Sequence, residues 1–309
     1  MNETRRAVLE ALEDGPITGP DLADRLDVSR AAVWKHVEAL REGGFDVEST
    51  DEGYVLTSIP EFGGMAIEFG LEAPFEIEYH DAIDSTNDRA RELAADGAAD
   101  VVVVAHEQTG GRGRLDRGWA SPSGGIWLSI AVKPSLPPAH APILTLAAAV
   151  ATAKAAREAG VEAGIKWPND VLTADDERKL AGILTEMEGE AGRANWVVVG
   201  VGINANVEAE ALPDGATSLA DRRGEPVERR VFVQRLLETF DDLRHDPETV
   251  LPEWRALSLT LGRQVRVDTP DGEVVGEAVD VAFPGELVLR TEDGRTTVNV
   301  GDCDHLRPV

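Results

Sequence analysis

Residues 101–119 read VVVVAHEQTGGRGRLDRGW, and their types point to anion chemistry. Residues 101–104 are an unbroken β-branched run, the pattern of a strand buried on both faces. Gly110, Gly111 and Gly113 then break the strand, and Arg112, Arg114 and Arg117 crowd the segment that follows. Glycines let backbone N–H groups approach an anion closely, and guanidinium forks grip phosphate or carboxylate through paired hydrogen bonds. No Gly-Lys-Ser/Thr follows, so this is not a P-loop, and no GxGxxG opens a helix here. On Gly/Arg spacing alone, a solvated surface loop is the better reading. Polar groups elsewhere shift the balance.

Ser85, Thr86 and Asn87 stand where an alternating strand (Phe75, Ile77, Tyr79) gives way to a helix carrying Ala90, Leu93 and Ala94. They suit helix capping, and the same side chains can serve a ligand. Lys166 and Asp170 lie in AGIKWPNDVL, a strand interrupted by Pro168, and Lys179 opens the returning strand of a hairpin, KLAGILTE. Asn204 and Asn206 end the buried run WVVVGVGINAN. Only five of the 30 basic residues are lysine, so Lys166 and Lys179, close together, mark positions that need a compact ammonium. Arg112, Arg114, Lys166 and Lys179, with Asp170 and the amides, are consistent with a nucleoside triphosphate and a second anion. A carboxylate near a triphosphate suggests Mg²⁺. No Ser/His/Asp set and no reactive cysteine is evident, which speaks against a covalent enzyme intermediate. The residues alone therefore indicate an ATP-using enzyme that activates a carboxylate by adenylation.

These groups need a scaffold, and the pattern predicts three parts. Residues 1–58 read as a winged helix-turn-helix. Thr4 is a candidate cap for a first helix (Val8, Leu9, Leu12), Pro20 starts a second, and Ser29 caps a third with Val33, Val37 and Leu40 inward. Tyr54 and Leu56 return from a turn at Asp51-Glu52-Gly53 as a wing. Ser29, Arg30, Lys35 and His36 are the candidate DNA contacts, and Trp34 is placed on the outer face. Against DNA binding, this segment is acidic overall. Residues 59–66 are expected to link to a catalytic domain spanning 67–258. Its strand at residues 126–132 follows Gly124-Gly125, which permit something flat to lie on the backbone, and residues 142–159 form a buried Ala-rich helix. Residues 259–309 become short alternating strands, a small β-barrel. The fold class expected is α+β.

Bulk properties narrow the classes. The chain has 309 residues and no run of 18 apolar ones, so no membrane span is expected. MNETRRAVLEALEDG lacks a signal-peptide core, which points to the cytoplasm. A single cysteine, Cys303, excludes an internal disulfide and a cysteine-cluster zinc site. The formal net charge of −27 is large for an ordinary acidic protein and points to a salt-rich cytosol.

The string QTGGRGR at 108–114, with Trp119 and GGIWLS at 124–129, resembles the biotin-binding loop and strand of biotin–protein ligases. Asp84-Ser85-Thr86-Asn87, KWPND at 166–170, KLAGIL at 179–184 and GVGINAN at 200–206 are similar to that family's companion motifs, in its order. The winged helix and terminal β-module resemble its bifunctional, repressor-type members, so the likeness covers essentially the whole chain. It implies a class II synthetase-like central domain with a mixed sheet, and an SH3-like C-terminal barrel. It implies that biotin and Mg-ATP form biotinyl-5′-AMP, which acylates a lysine of a biotin carboxyl carrier domain, and that operator DNA and a second copy of the chain, in a homodimer, are further partners. Biotin would be held by Ser85, Thr86, Asn87, Gln108, Gly111, Arg112, Gly113, Arg114, Trp127, Lys179, Gly182 and Leu184. ATP would be held by Arg114, Trp119, Lys166, Asp170 and Asn204, with Asp170 also on the metal. Arg112, Arg114 and Lys179 would be catalytic. Leu115-Asp116 departs from members with further basic residues there, which bears on loop-mediated pairing of chains more than on catalysis. A lipoate–protein ligase, or a ligand-sensing transcription factor without catalysis, are the rival readings.

Overall fold

The computed structural model describes residues 1–190 and 193–306. The chain forms two compact units, Met1–Leu71 and Glu72–Val309.

The first unit holds α1 (Glu3–Glu13), α2 (Gly19–Arg25), α3 (Arg30–Glu42), a hairpin of β1 (Asp46–Thr50) and β2 (Gly53–Ser58), and α4 (Gly64–Glu68). Ser29 caps α3 by accepting from Ala32 N, as expected, and Thr18 caps α2 through Asp21 N. The cap of α1 is Asn2, not Thr4: its side chain accepts from Arg5 N, which starts the helix two residues earlier. Val8, Leu9, Leu12, Leu22, Val33, Val37 and Leu40 form the core. The segment expected as a linker joins this core instead, because Ala66 and Phe69 pack into it and the Phe69 ring meets Phe45 edge-on at 6.3 Å.

The second unit contains a seven-stranded mixed sheet in the order β3-β4-β5-β9-β8-β7-β6. Its strands are β3 (Glu76–Ile83), β4 (Val101–Gln108), β5 (Ile126–Val132), β6 (Ala163–Lys166), β7 (Asp170–Thr173), β8 (Lys179–Glu190) and β9 (Arg193–Ile203). Only β3 and β4 run parallel, because α5 (Thr86–Ala95) crosses between them; every other pair is antiparallel. The valine run of β4 is buried throughout, as its continuous apolarity requires. The Ala-rich α6 (Pro142–Glu158) contacts β8, α8 (Arg229–His245) and α9 (Pro247–Leu257). Residues 138–158 are long and apolar enough to cross a membrane by composition alone, but most of that stretch is buried inside the protein. A short α7 (Leu219–Arg223) follows β9.

The C-terminal part is a five-stranded antiparallel sheet in the order β13-β12-β11-β10-β14. Its strands are β10 (Gln264–Thr269), β11 (Gly272–Ala282), β12 (Glu286–Thr291), β13 (Gly294–Val298) and β14 (Asp302–His305). Buried Val265, Val267, Ala278, Val281, Leu287 and Leu289 are interleaved with half-buried residues. β14 has no apolar alternation and was not expected from sequence.

Candidate active site

One cavity of about 270 Å³ gathers residues from across the second unit. Its polar wall is the strand-to-helix junction. Ser85 caps α5 through Asp88 N. Thr86 donates to Gln108 Oε1 from its backbone N at 2.8 Å and its hydroxyl at 3.0 Å, and Gln108 Nε2 donates to Ser121 Oγ at 3.0 Å. Asn87 donates to Glu186 Oε2 at 2.8 Å and accepts from Ser129 at 2.5 Å. These buried amides and hydroxyls are fixed in orientation before any ligand arrives.

The floor consists of glycines. Gly182 and Gly202 are cross-strand partners, as are Leu184 and Gly200. A Cβ on Gly202 would lie 2.6 Å from Trp119 Nε1, and one on Gly200 would lie 2.0 Å from Asn87 Oδ1. Bare backbone here lets an indole lie flat against the sheet. Trp119 Nε1 is buried without a hydrogen-bond partner.

Cations close the third side. The loop after β4 turns back on itself, with Trp119 N donating to Gly111 O and Gly113 N to Arg117 O. Arg112 pairs with Asp88. Arg114 donates to Asn169 Oδ1 at 3.1 Å and Gly301 O at 2.9 Å, and Arg117 pairs with Asp302. Lys179 Nζ lies 2.7 Å from Asp170 Oδ1 and 5.2 Å from the Trp119 ring centroid. Arg112 and Lys179, 67 positions apart in the chain, thus line one cavity.

Of the predicted site residues, Ser85, Thr86, Asn87, Gln108, Arg112, Gly113, Arg114, Trp119, Asp170, Lys179, Gly182 and Leu184 line this cavity. Four do not. Trp127 is fully buried, its indole donating to Pro122 O at 2.9 Å, and strand alternation turns Leu128 to the cavity instead. The flat group against Gly125 is Trp127's own ring. Lys166 reaches toward Asp304, 3.8 Å away. Asn204 is buried and donates to Lys179 O and Thr217 O, so it braces the Lys179 strand. Gly111 packs under Trp119 and Ser121, where a Cβ would come within 2.6 Å of either.

Sequence reasoning gave no site role to Asn169, Pro213 or Asp302, and noted Arg117 only as part of the arginine-rich loop. Asn169 was inside a quoted motif; Asp302 carried no local signal.

Family comparison decides between the readings. Residues 79–204 match the model of the Biotin/lipoate A/B protein ligase family, residues 260–306 the Biotin protein ligase C terminal domain, and residues 4–55 an HTH domain. The chain is 37% identical over 305 residues to the bifunctional ligase/repressor BirA of Bacillus subtilis, covering 93% of each. The chain belongs to the biotin–protein ligase family. It is also 38% identical over 236 residues to the biotin–[acetyl-CoA-carboxylase] ligase of Mycobacterium tuberculosis, covering 72% of this chain and 86% of that one. Biotin protein ligase from Aquifex aeolicus, solved with biotin and ATP, superposes with a TM-score of 0.63 at 25% identity, covering 74% of this chain and 99% of that one.

Among the described residues, no group of three His, Cys, Asp or Glu side chains can hold a metal by itself. Asp170 alone still fits Mg²⁺ in such a ligase, since that ion takes one or two carboxylates and completes its shell with phosphates and water.

In the first unit, Arg30 and Lys35 are exposed and Trp34 is 56% exposed. Ser29 spends its hydroxyl on the cap. His36 is half-buried; burial, and then the charge of Arg5, hold its pKa below the usual histidine value.

Proposed function

We propose that this chain is a biotin–[acetyl-CoA-carboxylase] ligase that also acts as a DNA-binding repressor. The observation that carries the ligase reading is the convergence of Arg112, Arg114 and Lys179 on a cavity with a glycine floor and a pre-bonded polar wall. Biotin's carboxylate oxygen attacks the α-phosphorus of ATP, and pyrophosphate leaves. A lysine amine of a biotin carboxyl carrier domain then attacks the acyl carbon, and AMP leaves.

Ser85, Thr86, Asn87 and Gln108 orient the ring system of biotin, while Gly182 and Leu184 flank it. Arg112, Arg114 and Lys179 neutralise charge growing at the carboxylate and α-phosphate. Trp119 offers an aromatic face to adenine. Mg²⁺, held with help from Asp170, supplies charge neutralisation on the phosphates. Pairing of the loop arginines with substrate anions keeps the mixed anhydride from water.

Incubating the full chain with Mg-ATP, labelled biotin and a carrier domain tests this. Label on the carrier lysine is expected; lipoate outcompeting biotin would favour the sister activity. The HTH and Biotin protein ligase C terminal domain matches support a three-part division, with the first part running on through Leu71, as its core does. Arg30 and Lys35 are proposed as DNA contacts, and the operator complex, a homodimer and a cytoplasmic location belong to the same reading. Mobility shift across salt concentrations tests the DNA role; no sequence-specific shift at any salt would remove it.

A further inference from the structure

The C-terminal sheet sends one carboxylate into the cavity, and the reaction as proposed above has no role for it. Asp302 opens β14 and lines the cavity beside Arg114, Arg117, Lys179 and Asp170. Its Oδ1 is 3.5 Å from Arg114 Nη1 and its Oδ2 is 2.5 Å from Arg117 Nη2. The preceding carbonyl, Gly301 O, accepts from Arg114 Nη2 at 2.9 Å. Gly301 and Asp302, at the entry to β14, therefore hold two arginines of the loop after β4.

The position of Asp302 is itself fixed. At the other end of the strand, His305 Nδ1 lies 3.0 Å from Glu177 Oε2 and Nε2 lies 3.0 Å from Thr260 Oγ1. Glu177 belongs to the turn just before Lys179. Between the two ends, Lys166 reaches toward Asp304. β14 thus bridges the turn that carries the ammonium and the loop that carries the guanidiniums.

We propose that Asp302 is a positioning residue for adenylation: it holds Arg114 and Arg117 over the cavity until substrate anions replace it. Four cations crowd this cavity, and without a counter-charge they repel one another in the free enzyme. Asp170 takes Lys179 and Asp88 takes Arg112; Asp302 does the same for the remaining pair. A phosphate arriving at Arg114 then exchanges one oxyanion partner for another, with the guanidinium already in place. The inference rests on the ligase reading for its anion, but the holding contact exists without it.

The test uses the full chain with Asp302→Ala, the isosteric Asp302→Asn and the charge-conserving Asp302→Glu. Trypsin can cut after Arg112, Arg114 and Arg117, so cleavage within residues 112–118 reports how the loop is held. In the free protein, the Ala and Asn variants should be cut about fivefold faster than wild type, the scale of losing a half-exposed ion pair. Biotin with Mg-ATP should restore protection. In biotin-dependent ATP–pyrophosphate exchange, their kcat should fall about tenfold with KM for biotin within about twofold. Asp302→Glu should recover most of both properties; counted at Arg112 and Arg114 alone, because trypsin does not cut after alanine, Arg117→Ala should add little cleavage to Asp302→Ala. Equal cleavage of wild type and both neutral variants, or a kcat unaffected in both, overturns the proposal. If the wild-type chain shows no exchange at all, the ligase reading fails, and the cleavage comparison alone decides the role of Asp302.

Discussion

Lys179 and Asp170 face each other across neighbouring strands, with Nζ 2.7 Å from Oδ1 and both side chains about a third exposed or less (35% and 23%). This pair sets the resting charge of the cavity. An incoming anion can draw the ammonium away without leaving Asp170 stranded, since the carboxylate stays in reach of water or a cation.

Replacing Lys179 with Ala should lower biotin-dependent ATP–pyrophosphate exchange about 10²–10³-fold, the scale of removing one transition-state donor. Circular dichroism and thermal midpoint should stay close to wild type, because the side chain is partly exposed and braces no core. Exchange within twofold of wild type would take Lys179 out of the reaction.

The glycine floor makes a different prediction. A Cβ on Gly200 would meet Asn87 Oδ1 at 2.0 Å, and Asn87 is pinned by Glu186 and Ser129. Gly200→Ala should cost about 1–3 kcal/mol of stability, as overpacking does, and raise KM for biotin at least about tenfold. At Gly202 the obstacle is Trp119, borne on a loop, so Gly202→Ala should shift indole fluorescence with a smaller loss of stability. A Gly200→Ala protein with wild-type KM and melting would show that Gly200 does not form the floor of the biotin site.

Acid sensitivity should trace to His305. Burial pushes its pKa below the ordinary 6.5, against an opposing pull from Glu177; Lys166 and Arg263 add to the lowering. The partners assign the neutral ring: Nδ1–H donates to Glu177, and Nε2 accepts from Thr260, whose Oγ1 accepts from Trp167 N at 2.9 Å. The unfolded chain then binds the proton more readily, so this stability is complete above about pH 6.5 and is lost as pH falls from there toward the folded pKa. The urea midpoint of wild type should drop more between about pH 7.5 and about pH 5.5 than that of His305→Gln. Parallel drops would contradict it.

The net charge of −27 predicts a salt response. Screening relieves self-repulsion, so the thermal midpoint should climb as sodium chloride rises from about 0.1 M to about 1 M and beyond. A midpoint that is flat or highest at low salt would reject salt adaptation.

Much of this was readable along the chain because local rules and tertiary needs agree. Strand β4 could only be buried, Ser85 and Ser29 could only begin helices well, and the Gly/Arg loop could only follow a strand end. Individual side-chain directions were less legible. Trp127 and Leu128 are neighbours of similar apolarity, and only the sheet's packing decides which one faces the cavity. Lys166 shares a motif with Asp170, yet the position of Asp304, 138 residues downstream of Lys166, draws its ammonium elsewhere. Asp302 was invisible for the same reason: its meaning comes from the arginines that another segment brings to it. Residues 59–66 looked like a linker because Pro60 and Gly63-Gly64 dominate the pattern, while the deciding contact, Phe69 on Phe45 just beyond them, is tertiary.

The most direct measurement is ATP–pyrophosphate exchange by the purified full chain with Mg²⁺, comparing biotin, lipoate and no acid. Exchange that appears with biotin, stays at background with lipoate or no acid, and collapses in Lys179→Ala is the predicted result. Exchange that ignores biotin, or that survives the loss of Lys179 intact, would contradict the account.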